Sequence, residues 1–166
     1  MQPYNLHPLP PQVILSPGDC VLEVPCGVGD GLLDLASPDL LRVGIDPIPA
    51  NLQQARQRTA QQRQQVTWLP GFPWSIPFAD GSYTLVLSRG GLEVAPDPLD
   101  VLVELTRLLE PGGYLLLSSL AMQHPTSIGL PVQRAWDERA VEAWCVELGL
   151  CVEVADGLGW RCISRG

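Results

Sequence analysis

Glu23, Gly27, Gly29, Gly31 and Asp46 are the residues whose types and spacing could do chemistry. In the run V-L-E-V-P-C-G-V-G-D-G from Val21 to Gly31, one carboxylate stands just ahead of three glycines at alternate positions. Removing three β-carbons lets a loop backbone lie against a ligand, with its N–H groups and the start of a following helix facing it. On this reading Gly29 is bare because a ligand approaches it, and Gly29→Val should abolish binding in a domain that stays folded. A second carboxylate, Asp46, followed by Pro47, closes the next apolar run, L-R-V-G-I. Its two oxygens match two adjacent ribose hydroxyls. Alone it would read as an ordinary Asp-Pro turn; behind a glycine loop at this distance it reads as the second half of a nucleoside site. The loop is spaced G-x-G-x-G, with Leu32 where the dinucleotide fingerprint needs its third glycine, which argues against a nicotinamide dinucleotide.

Several elements must position these residues. Val21, Leu22 and Val24 form a short buried strand, and Leu32, Leu33, Leu35 and Ala36 resume at helical spacing after the glycines. Ser37-Pro38 breaks that helix, and 41–45 is a second strand. Pro49 to Gln65 reads as an amphipathic, glutamine-rich helix with Leu52, Ala55 and Thr59 inward; a glutamine-rich interaction tract is the minor alternative. Val66 to Leu69 and Thr84 to Ser88 are a third and a fourth strand, the latter ending at Arg89-Gly90-Gly91. Asp97-Pro98 starts a helix with Leu102, Leu105 and Leu109 on one face, stopped by Pro111-Gly112-Gly113, and Tyr114 to Ser118 is a fifth strand. Trp136 to Leu148 is a helix closed by Gly149, and two last strands flank Asp156-Gly157. Strands alternating with helices imply a parallel sheet covered on both faces. Residues 1–15, with four prolines among the first eleven, are an extended lead-in and show no helix that could cover a site.

Composition narrows the class. The 166 residues make one domain, 1–166, and 46% hydrophobic residues make it a folded one. No apolar run approaches the roughly 18 residues of a membrane span, and M-Q-P-Y-N-L-H lacks a cationic start, so a cytoplasmic protein away from membranes is expected. A net charge of −8, with all ten basic residues arginine, argues against a nucleic-acid partner. Cys20, Cys26, Cys145, Cys151 and Cys162 are odd in number and show no C-x-x-C spacing, which favours free, mostly buried thiols and no metal.

The order V-L-E-V-P-C-G-V-G, V-G-I-D-P, I-P-F-A-D-G-S-Y and A-P-D-P-L-D-V-L-V-E-L-T-R-L-L-E-P-G-G-Y-L-L-L resembles the class I S-adenosylmethionine (SAM)-dependent methyltransferases, in the branch acting on small molecules. The likeness runs from about Ser16 to Ser119. It implies an α/β, Rossmann-like, doubly wound and mostly parallel seven-stranded sheet with helices on both faces and a truncated N-terminal cap. It also implies S-adenosyl-L-methionine as cofactor and a small-molecule acceptor.

Carried over by position, Glu23, Pro25, Gly27 and Gly29 would hold the methionine part, and Asp46 with Pro47 the ribose. Phe72 would face the base, and Ser88 and Arg89 would lie beside the methyl group. Three departures stand out. Pro25 replaces the first loop glycine. Phe72 stands where the family usually has an Asp for the adenine amino group; its ring either lies against the base or anchors the loop on the core together with Trp74. Val94 replaces a frequent histidine, leaving Glu93 as the ionisable group of that turn. His124, in the Met122 to Trp136 stretch where such enzymes often contact substrate, is a candidate base, although a lone loop histidine is more often merely exposed. Arg89 and Glu93 are the other catalytic candidates.

A sulfonium methyl is already activated, so the protein mainly holds the acceptor in line and excludes water. Three functions fit these residues to different degrees: methyl transfer to a small molecule, a non-catalytic regulatory module that binds S-adenosylmethionine or a nucleoside on the same fold, and, disfavoured by the loop spacing, a nicotinamide-dependent oxidoreductase.

Overall fold

The computed structural model describes residues 9–35, 39–118, 137–154 and 160–166. Their elements are β1 (Cys20–Glu23), α1 (Asp30–Asp34), β2 (Leu41–Asp46), α2 (Pro49–Gln62), β3 (Thr67–Pro70), β4 (Tyr83–Arg89), α3 (Gly91–Val94), α4 (Pro98–Leu108), β5 (Leu109–Ser118), α5 (Glu138–Glu147), β6 (Leu150–Val154) and β7 (Trp160–Arg165). The strands lie in the order β3-β2-β1-β4-β5-β7-β6. The pairs from β3 to β5 are parallel, and β7 runs antiparallel between β5 and β6. This is an α/β, Rossmann-like fold on a mostly parallel sheet.

Successive side chains of a strand point to opposite faces, and the apolar runs use both. Val21, Leu85, Leu87 and Leu116 pack with Leu32 and Leu33 of α1 and Leu52 and Ala55 of α2. Leu22, Val86, Leu115 and Leu117 pack with Leu102, Leu105 and Leu108 of α4 and Val141 and Cys145 of α5. Both faces of the central strands are therefore covered by helices.

Four boundaries differ from the sequence reading. β5 begins at Leu109, so Pro111-Gly112-Gly113 lies inside a strand: Tyr83 pairs with Leu109, the register slips, and Leu85 pairs with Tyr114. Gly112 accommodates that irregularity at φ 79°. α2 stops at Gln62 because Arg63 turns left-handed, at φ 55°, and its N–H bonds back to Ala60 O. α3, a turn of four residues, has no periodicity to read. α5 starts at Glu138, with the Asp137 side chain accepting from Arg139 N at 2.9 Å as its N-cap.

The cysteines are free where described, but Cys20 is half-buried and Cys151 exposed, against the mostly buried set expected. Among the described residues no helix is long and apolar enough to cross a membrane, and no cluster of His, Cys, Asp and Glu could hold a metal ion. His124 with its surrounding stretch and the Asp156-Gly157 turn lie outside the described residues.

Candidate functional site

In an open parallel sheet a ligand site forms beyond the carboxyl ends of the strands where the chain order reverses. Here β1 continues outward to β2 on one side and β4 lies on the other, so the reversal falls between β1 and β4. The last inward residues of four adjacent strands make a polar row at that end. Register places them on one face: Glu23 pairs with Leu87, two residues before Arg89, and Arg89 pairs with Ser118. Asp46 shares that face, since it alternates with Gly44, over which Trp68 of the α1/α2 core lies. Asp46, Glu23, Arg89 and Ser118 are 0%, 3%, 8% and 2% exposed.

The glycine loop crosses β1 and β2. Gly27 and Gly29 have φ of 53° and 84°, and Cys26 N donates to Ile45 O at 2.9 Å. Arg58 of α2 straps it, pairing with Asp30 at 2.5 Å and donating to Val28 O at 2.9 Å. Beneath it lies the Trp68 indole, whose Nε1 donates to Thr59 Oγ1 at 2.9 Å. A β-carbon on Gly29 would stand 2.5 Å from that ring. The turn and Trp68 thus already require glycine at position 29, so Gly29→Val would damage the fold as well as any binding.

The two carboxylates are held by backbone donors. Glu23 Oε2 accepts from Leu32 N at 3.2 Å, and a β-carbon on Gly31 would run into this carboxylate. Burial pushes the Glu23 pKa up to about 7, with the nearby Arg89 charge opposing the shift. Asp46 Oδ2 accepts from Gly27 N at 2.8 Å, and Oδ1 accepts from Ile48 N at 2.9 Å and Asn51 Nδ2 at 3.1 Å. Asp46 therefore joins the glycine loop to the start of α2, and burial raises its pKa against those hydrogen bonds. A carboxylate offers about four lone-pair sites, so the three bonds leave room for one further donor. Pro47 is half-buried in the same turn.

Phe72 is 46% exposed. Its ring stacks on Trp74, with centroids 4.8 Å apart and planes at 21°. Gly71 N donates to Asp46 O at 3.4 Å, tying the loop after β3 to the end of β2. Of the two aromatics Trp74 packs on the core, whereas Phe72 presents an exposed ring stacked on Trp74. The rest of this connection is pinned by Arg107, which donates to Phe78 O at 2.7 Å and Ile76 O at 3.1 Å and pairs with Asp80 and Glu104.

Beyond β4, Ser88 Oγ lies against Gly91, where a β-carbon would strike it and stand 3.4 Å from Pro25 Cδ. Glu93 and Val94 are buried on α3, at 2% and 5% exposure. Among the described residues, the buried Ser88 and Ser118 hydroxyls have no hydrogen-bond partner. Ser118 escaped the sequence reading. Its signal is faint: the first of two serines closing the run Y-L-L-L-S-S, meaningful only once register sets it beside Arg89.

The chain matches the "methyltransferase domain" family over residues 22–117. It is 31% identical to a demethylmenaquinone methyltransferase of Lactococcus lactis over 121 residues, 70% of this chain and 46% of that protein. It is 34% identical to one of Bacillus cereus over 119 residues, 69% and 49% of the two chains. The chain thus spans about half the length of the curated relatives it matches. Among solved structures, a SAM-dependent methyltransferase of Methanosarcina mazei superposes with a TM-score of 0.71 at 18% identity, covering 96% of each chain. A second, from Aquifex aeolicus, gives 0.72 at 19%, covering 92% of this chain and 85% of that one. With more than half of its residues inside the family match, and that match spanning the glycine loop, the second-strand acid and the fourth and fifth strands, the chain belongs to the class I S-adenosylmethionine-dependent methyltransferases.

Proposed function

We propose that the protein transfers a methyl group from S-adenosylmethionine to a small-molecule acceptor by in-line displacement. The observation that carries this reading is the buried polar row at the switch point, with a strapped glycine loop above its Asp46 and Glu23 end. The residues fit the cofactor: Asp46 retains acceptor capacity for a ribose hydroxyl, and Glu23 is a carboxylate that an added cation would favour in its ionised form. Gly27, Gly29 and Pro25 shape the loop around the methionine part, Pro47 follows the ribose acid, and Phe72 offers a ring face for the base. When bound, the cofactor supplies an activated methyl, whose bond to sulfur breaks with its electron pair on sulfur as the bond to the acceptor forms. Ser88, Arg89 and Glu93 would border the acceptor, and His124 remains a candidate base.

A small acceptor is supported by the net charge of −8, which disfavours a phosphate backbone, and by the quinone-type substrate in the relatives' names. The full doubly wound, seven-stranded sheet belongs to the same reading, supported by the antiparallel β7 pairings. A binding module without turnover is the second reading, favoured by the buried Val94 in place of a histidine.

Calorimetric titration with S-adenosylmethionine and NAD tests the site. S-adenosylmethionine should bind and NAD should not. Asp46→Ala should weaken S-adenosylmethionine by about 2–4 kcal/mol, roughly 30- to 1,000-fold. An unchanged dissociation constant would remove Asp46 from the site.

A further inference from the structure

Val28 stands between two glycines in the left-handed region, Gly27 at φ 53° and Gly29 at φ 84°, so its stretch of loop has little stiffness of its own. Most N–H groups of the loop are committed to the protein. Cys26 N donates to Ile45 O at 2.9 Å, Gly27 N to Asp46 Oδ2 at 2.8 Å and Gly29 N to Cys26 O at 2.9 Å. Among the described residues, the Val28 N–H is the one donor from Cys26 to Gly29 with no acceptor. Arg58 holds this same residue from outside the loop. Resting on the S-adenosylmethionine reading above, we propose that Arg58 is a positioning residue. Through Val28 O and Asp30 it keeps the Val28 N–H in place as the loop's donor to the carboxylate of the cofactor's methionine part.

The strap is made by one atom. Arg58 Nη1 donates to Val28 O at 2.9 Å and pairs with Asp30 Oδ1 at 2.5 Å, so a single nitrogen fixes the residue between the glycines and the first residue of α1. Its own helix is a firm base. Ala55 and Thr59 are buried, and Thr59 Oγ1 donates to Ala55 O at 2.6 Å while accepting from the Trp68 indole beneath the loop at 2.9 Å.

The Arg58 and Asp30 side chains are 33% and 29% exposed, and a partly exposed ion pair adds little to the stability of a fold. What the strap supplies is order. A loop already held in its binding shape loses less freedom when the ligand arrives, and that saving appears as affinity.

The test is calorimetry on the full chain with two matched probes, S-adenosylhomocysteine and its decarboxylated analogue, which keeps the adenosine, the sulfur and the amine. Wild type should bind S-adenosylhomocysteine the more tightly by at least about tenfold, as a hydrogen bond to a charged group implies. Arg58→Gln should remove most of that preference, weakening S-adenosylhomocysteine about fivefold or more and leaving the analogue unchanged. A strap that merely stabilised the fold would weaken both probes alike. Arg58→Lys should restore part of the preference, since one ammonium carries donors enough for both contacts. Asp30→Asn separates positioning from bare charge. It should weaken S-adenosylhomocysteine, whereas a guanidinium acting by charge alone would draw the carboxylate more tightly once Asp30 no longer offsets it. Should Arg58→Gln not fold, Asp30→Asn decides alone. Equal wild-type binding of the two probes, a preference that survives Arg58→Gln, equal weakening of both probes, or unchanged or tighter binding by Asp30→Asn overturns the positioning role and leaves the cofactor reading standing. Failure of S-adenosylhomocysteine to bind wild type overturns the cofactor reading, and the role of Arg58 with it.

Discussion

Folding holds Glu23 with more protons than the unfolded chain would bind. Its pKa rises from 4.5 to about 7 through burial, and that of Asp46 shifts in the same direction. A carboxyl whose folded pKa is raised stabilises the fold fully below its unfolded value, and the benefit is lost as pH climbs to the folded value. For Glu23 the window is therefore pH 4.5 to about 7. At about 1.4 kcal/mol per unit, the contribution is on the order of 3 kcal/mol. Urea unfolding at pH 5, 6 and 7.5 should show wild-type stability falling across the series and a flatter profile for Glu23→Gln; parallel profiles would mean that Glu23 titrates normally. Glu23 and Asp46 were legible in the sequence because a carboxylate before glycines and another closing the next strand have few other uses in that order. Ser118 was not, because a serine after three leucines signals nothing until pairing sets it beside Arg89. The demand at Gly29 was legible, but not the part that Trp68 plays in it, since Trp68 stands 39 residues away in sequence.

The glycine loop is an element built on another element's side chain. Trp68 of β3 reaches beneath β2 and the loop at once, and a β-carbon on either Gly29 or Gly44 would enter its ring. Gly44 lies within a strand, where a methyl group would otherwise be welcome, so its cost should be almost wholly steric. Gly44→Ala should destabilise by about 1–3 kcal/mol, the range for overpacking, and most of that loss should disappear in a Trp68→Leu background. A double-mutant cycle read by urea unfolding measures the coupling. Additive losses would show that the indole does not enforce the glycine. Most of the regular elements were readable from period and punctuation, including α4 with its Asp97 cap, which accepts from Leu99 N at 2.9 Å. The failures share a physical origin. A Pro-Gly-Gly stop became part of a strand because Leu109 before it and Tyr114 after it both pair with β4 and the stop is taken up in the irregular register between them, and α3 is too short for any period to appear.

At the scale of the molecule, one sheet serves two hydrophobic cores. The α1/α2 core and the α4/α5 core share strands whose alternate residues feed one or the other: Leu87 faces the first and Val86 the second, from the same strand. Neither core can dissolve while the strands keep their register, and neither can persist once the strands separate, so the two should melt together. Leu87→Ala and Leu105→Ala, each at a fully buried position on opposite faces, should each cost about 2–5 kcal/mol. For a domain of this size that is a fall in Tm of very roughly 5–20 °C. Tryptophan reports from both sides, with Trp68 in the α1/α2 core and Trp74 and Trp144 packed against the other. Fluorescence and far-ultraviolet circular dichroism should therefore trace one coincident transition in wild type and in both variants. If Leu105→Ala instead split the transition, with the Trp68 signal holding to a higher temperature, the α1/α2 side would be a separately stable unit. The glycine loop and both carboxylates would then survive without α4 and α5, and cofactor affinity measured between the two transitions would persist.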